Sequence, residues 1–120
     1  MRKWIAYFLL FPCILIKIPE KFSEVLRGPN SFGNLLEERG YESLPSIVSP
    51  SPEGMRYFSG GYNTYVHGSA ETGGSISSIQ LEMPAPGIRQ NAIQWNDFAH
   101  ALSEALIVYL KIHLNIDLVN

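Results

Sequence analysis

The clearest pattern in the chain lies near its end. From Asn96 or Asp97 the positions Phe98, Ala99, Leu102, Ala105, Leu106, Tyr109, Leu110 and His113 recur at spacings of three and four, with Trp95 just ahead. That spacing keeps one stripe on a helix of 3.6 residues per turn, while Ser103, Glu104, Lys111 and Asn115 fall on the other side. It predicts a helix over about 96–114, opened by an amide or carboxylate cap and roughly 28 Å long at 1.5 Å per residue. A stripe of this kind packs on a sheet. A shorter helical pattern runs through Ser31–Gly40, where Phe32, Leu35 and Leu36 share a face. Ser31 or Asn34 can cap its start, and Gly40 stands where a C′ glycine ends helices.

Two segments alternate with period two. In Ser78–Met83, Ile79, Leu81 and Met83 lie on one face and Ser78, Gln80 and Glu82 on the other, and Pro84 ends the run. Glu82 therefore sits at the carboxyl end of a strand, the place beside which ligands bind in α/β sheets. The plainer reading is an edge strand whose polar face meets water. Tyr62–His67, flanked by Gly60-Gly61 and Gly68, reads as a second strand with faces Tyr62/Thr64/Val66 and Asn63/Tyr65/His67. Between the elements, Glu42–Gly54 holds four Ser and three Pro and reads as loop, and Ala70–Ser75 reads as a turn.

The start of the chain poses a targeting question. Met1-Arg2-Lys3 precedes Trp4–Ile16, thirteen residues without charge. A basic start followed by a short apolar run is the outline of a secretory signal. No small-x-small cleavage site follows it, the run is short of the roughly 20 residues a spanning helix needs, and Pro12 interrupts it. Aromatic and β-branched residues suit it equally to a buried strand. Residues 1–26 are thus a signal, a membrane anchor acting through residues 4–16, or an added strand. Residues 27–120 form the main unit. The signal reading implies a secreted or membrane-associated protein, and the strand reading a cytoplasmic one.

Composition narrows the picture further. The 120 residues are one domain's worth, enough to bury roughly two thirds of the unfolded surface. Net charge is −2 with no run of Lys or Arg, which excludes a basic nucleic-acid binder. Cys13 is the single cysteine, so no internal disulfide forms. The chain has no phosphate loop, no dinucleotide glycine fingerprint and no nucleophile elbow. Its histidines, His67, His100 and His113, show no zinc-ligand spacing. His113 on the stripe reads as a core histidine and His100 as a solvated one. His67, ending its segment just before a glycine, is the histidine to carry forward.

Several blocks taken together resemble the C-terminal half of the N-formylglutamate amidohydrolase-like family. They are Ser31–Tyr41 (SFGNLLEERGY), Phe58–Thr64 (FSGGYNT), His67-Gly68, Gly73-Gly74 and Ile79–Met83 (IQLEM). The resemblance spans roughly Arg27 to Leu114. It implies an α/β fold, a small mixed sheet with a long C-terminal helix similar to part of a zinc carboxypeptidase. It also implies hydrolysis of an amide bond beside a carboxylate, in a small amide or N-acyl amino-acid substrate. By the family's motif Glu82 is the catalytic carboxylate, which takes a proton from the attacking water and returns it to the leaving nitrogen. His67 and Arg89 are then expected beside it as substrate-binding residues on a concave surface.

The chain departs from the family at two places. Tyr65 and Val66 stand where members carry one or two arginines, whose planar fork grips carboxylates. The family's zinc ligands lie in an N-terminal half that has no counterpart here, and no histidine precedes Arg27. The expectation is a truncated or remnant amidohydrolase-like chain that holds no zinc of its own. Two alternatives stand beside it. One is a small hydrolase borrowing a metal site from a second chain; the other is a secreted or membrane-attached binding module using the Gly-rich loops and Tyr62/Tyr65. Strand edges left uncovered would favour self-association.

Overall fold

The computed structural model describes residues 5–10, 19–56, 61–67 and 78–119. The predicted turn at Ala70–Ser75 and the Phe58–Gly60, Gly68 and Gly73-Gly74 parts of the motif blocks lie outside them, as do residues 11–16 of the apolar start. Strand β1 (Ile5–Leu10) is central, with β2 (Ser43–Leu44) parallel to it on one side and β3 (Ser78–Glu82) antiparallel on the other. Ile5 pairs with Ser43 and Ala6 with Leu44; on the far side Ala6 pairs with Glu82 and Leu10 with Ser78. Half of the apolar start is therefore strand. The mixed α and β content and the long C-terminal helix agree with the sequence pattern.

Helix α1 (Pro19–Arg27) opens on a proline, whose missing N–H costs nothing at a first helical position, and runs across the 26/27 boundary. Its Val25 is buried with Phe32, Leu35 and Leu36 of α2 (Phe32–Glu37). Ser31 caps α2, its Oγ accepting the Asn34 N–H at 3.2 Å. Gly40, with φ +87°, ends it: the Tyr41 N–H reaches the Leu36 carbonyl and the Gly40 N–H that of Glu37. Those two bonds form a Schellman closure, which needs a residue tolerant of left-handed backbone at that place.

The long helix, α4, runs from Ala92 to Leu114, about one turn earlier than its stripe suggests. Asn91 is its cap, accepting the Gln94 N–H at 3.0 Å, while the Gln94 side chain accepts the Gln90 N–H at 3.2 Å. The first turn, with exposed Ile93 and Trp95, carries no buried stripe, so periodicity alone does not reach back to it. Its buried residues are Phe98, Ala101, Ala105 and Tyr109. The expected stripe is rotated slightly: Ala101 faces inward and Ala99 outward.

α4 packs chiefly on α2 and on the turn Ala85–Arg89, with Ile79, Leu81 and Met83 lining the same core. Phe32 meets Tyr109 edge-on at 5.7 Å between ring centres, and Tyr41 meets Phe98 likewise at 5.1 Å. Ala105 is fully buried, and its single methyl lets the neighbouring elements close on the helix. In the turn itself Pro86 (φ −62°, ψ 129°) and Gly87 (φ 86°, ψ −16°) have the backbone of a type II reversal, which calls for glycine at the second position.

One predicted element is corrected. Tyr62–His67 is a helix, α3, and not a strand. Its alternation is only six residues long, and Tyr62, Tyr65 and Val66 fit helical spacing as well as Tyr62, Thr64 and Val66 fit a strand. The Tyr65 N–H bonds to the Gly61 carbonyl at 3.0 Å. Both sides of β1 are taken by β2 and β3, and α3 lies against β3 as a helix. Glu42–Gly54 is irregular apart from β2, and its Ser43 and Ser46 are buried.

Candidate functional site

Glu82 closes β3 and is exposed, opposite Ala6 of β1. The rest of β3 is half-buried on both faces, so its polar face does not simply meet water. Gly61 sits over that face: a Cβ placed there would approach the Gln80 amide to 3.0 Å. Two motif blocks nineteen positions apart (residues 61 and 80) thus touch at one edge of the structure.

Arg89 is exposed after the Pro86-Gly87 reversal, and its Nε donates to the Met83 carbonyl at 2.8 Å. The turn is thereby tied to the residue that follows Glu82. His67 lies in the last turn of α3 and is exposed. It ends a helix, where the strand reading had placed it at a strand end. No ion pair or hydrogen bond joins Glu82, His67 and Arg89 to one another among the described residues. Chain folding brings Arg89 to the end of β3 and α3 to its flank.

A second polar group has no counterpart in the motif reading. Ser46, fully buried beside the cis Leu44–Pro45 peptide, donates its Oγ–H to Glu37 Oε1 at 2.6 Å and accepts the Ser49 N–H at 3.0 Å. The Ser46 N–H returns to the Ser49 carbonyl at 2.9 Å, and the Ser43 N–H approaches the same Glu37 oxygen at 3.4 Å. The only trace of this group in the sequence is a serine at every third position, 43, 46 and 49, following a helix that ends in glutamate.

Two neighbouring concavities flank Gly40 and Glu42. One, of about 420 Å³, is lined by Glu37, Gly40, Glu42, Val48 and Ser49. The other, of about 390 Å³, is lined by Gly40, Tyr41, Glu42, Pro86, Gly87 and Ile88. Glu82, His67 and Arg89 line neither. Burial raises the Tyr41 pKa above its ordinary 10.0, and the negative charge of Asp97 adds to the shift.

The described residues do not fit the zinc that the resemblance implies. A catalytic zinc wants three protein ligands, and no three His, Cys, Asp or Glu side chains gather among the described residues. His113 Nε2 lies 2.7 Å from the Asn30 carbonyl and its ring meets that of Tyr109 at a 54° tilt, 4.6 Å between centres, while His100 is exposed on α4. No described helix is long and apolar enough to cross a membrane. No protein-family model, curated protein or solved structure matches the chain.

Proposed function

We propose that this chain carries the acid/base and substrate-contacting part of an amide hydrolase of the N-formylglutamate amidohydrolase-like kind. The observation that supports the reading is the meeting of its two most specific blocks, Gly61 of the Gly-Gly-Tyr block packing on Gln80 of Ile-Gln-Leu-Glu. Glu82 follows Gln80 by two residues and shares its strand face. In this reading Glu82 takes a proton from the water that attacks the amide carbonyl. It delivers that proton to the nitrogen as the carbon–nitrogen bond breaks. Arg89 and His67 contact the substrate carboxylate, Arg89 from the turn tied to Met83.

The test is formate release from N-formyl-L-glutamate by the natural full-length product, wild type against Glu82→Gln. Loss of hydrolysis with an unchanged melting temperature is the expected result. Equal hydrolysis by both forms removes Glu82 from the mechanism. A wild-type product that neither hydrolyses nor binds the substrate overturns the reading.

A non-catalytic binding module is favoured by one observation. Tyr62 and Tyr65 on α3 are 77% and 64% exposed, more than a scaffold requires of two aromatic rings. Saturable binding of a macromolecular partner, lost in Tyr62→Ser/Tyr65→Ser and kept in Glu82→Gln, would support it over the hydrolase.

A further inference from the structure

Strand β1 is built from residues of the apolar run near the start of the chain. Ile5–Leu10 carries no charge and follows Arg2, Lys3 and Trp4. Cationic residues ahead of an uncharged apolar stretch suit an anionic lipid surface. The cations are drawn to acidic headgroups, and a tryptophan indole settles at headgroup depth. By its residues the segment is suited to lipid.

The fold puts the same residues to another use. β1 lies between β2 and β3, and in the order β2-β1-β3 the outer strands do not meet. Ala6 to Leu10 face Glu82 to Ser78 of β3, while Ile5 and Ala6 face Ser43 and Leu44 of β2. Both neighbours serve the core: Ile79 and Leu81 of β3 pack against it, and Leu44 of β2 is buried. Withdrawing β1 therefore removes the strand that joins two core-lining elements. A lipid-bound segment has the opposite need. In hydrocarbon every backbone N–H and C=O must be satisfied within the segment, which a strand bonded to two neighbours does not do. Residues 5–10 can serve the sheet or the lipid, and not both at once.

We propose that the fold holds its own lipid-seeking segment off the membrane: an anionic lipid surface competes with β2 and β3 for Ile5–Leu10, and attachment requires β1 to leave the sheet. Lipid then binds the released state alone, so it shifts the equilibrium by its full affinity for that state. The apparent affinity is reduced by the fraction of chains in which β1 is released. A stable fold silences attachment, and a destabilised or still unfolded chain attaches. The device rests on the pairing of β1 and stands whether or not the chain hydrolyses amides.

The probe is a vesicle of equal parts phosphatidylcholine and phosphatidylglycerol, mixed with the full chain and floated through a sucrose gradient. Folded wild type should stay at the bottom. Ile79→Pro/Gln80→Pro leaves residues 1–10 intact and removes two successive N–H groups of β3, one of which faces β1 in an antiparallel ladder. That variant should float, and adding Phe8→Asp and Leu9→Asp to it should abolish flotation. Wild type in urea near its unfolding midpoint provides a second release that needs no proline; it should float, and Phe8→Asp/Leu9→Asp in the same urea should not. Hydrogen exchange of wild type without lipid should show slow amides within residues 5–10. The proposal is overturned if folded wild type floats as well as the proline variant, if neither release gives flotation, if flotation survives the two aspartates, or if no amide in 5–10 is protected.

Discussion

Replacing Ser46 by alanine tests the part of the structure furthest from any sequence signal. The hydroxyl is fully buried, donates to Glu37 at 2.6 Å and accepts the Ser49 N–H at 3.0 Å. Hydrogen bonds to charged groups contribute about 1.5–3 kcal/mol, and a buried donor left without an acceptor costs about 1 kcal/mol or more. Water reaches the half-buried Glu37 and recovers part of the first contribution, which leaves a loss of about 2–3 kcal/mol. Urea unfolding followed by circular dichroism measures it, and the midpoint should fall while the slope stays constant. Ser51→Ala, at an exposed position a few residues on, should stay within about 0.5 kcal/mol. Glu37→Gln keeps the acceptor and loses its charge, so it should cost less than Ser46→Ala, and the double variant less than the sum. If Ser46→Ala matches Ser51→Ala, the serine–glutamate group does not hold the 43–49 segment and the reasoning fails.

Three further outcomes follow from the long helix and its neighbours. Asn91→Ala should lose about 1 kcal/mol of unfolding free energy, whereas Asn96→Ala, inside the helix and exposed, should lose almost nothing; the reverse order would place the cap at the later position. Ala105→Leu, at 0% exposure, should cost about 1–3 kcal/mol by overpacking, and Ala99→Leu on the outer face should be nearly neutral by the same denaturation assay. The Tyr41 pKa is raised on folding, so the folded state holds its phenolic proton more tightly than the unfolded chain does. That contribution is complete below pH 10 and is lost as pH rises through the folded pKa. Tyr41→Phe should flatten the alkaline fall in urea midpoint, and an identical fall in both forms would refute the assignment.

The sequence alone determined the elements whose signals are local. Ser31 followed by Phe32, Leu35 and Leu36 and closed by Gly40 specifies α2, because a cap, a face and a left-handed terminus all fall within one short stretch. Ile79 to Glu82 specifies β3, and Phe98 to Tyr109 specifies the buried run of α4. Tyr62–His67 was ambiguous for a physical reason. Six residues satisfy both periods, and the local pattern does not choose between them; the segment closes as a helix, its Tyr65 N–H on the Gly61 carbonyl, and lies against β3 as α3. The same holds for the sites. The position of Glu82 on β3 was legible because it is a local fact, whereas the place of His67 relative to it depends on how α3 packs, which no spacing encodes. Ser43 and Ser46 read as loop because serine beside proline marks turns; the parallel pairing of β2 with β1 takes in Ser43, and Ser46 is buried just beyond it. Once there they needed partners, because a polar group taken out of water must find its hydrogen bonds in the protein, and Glu37 at the end of α2 was the acceptor that tertiary packing brought within 2.6 Å of Ser46.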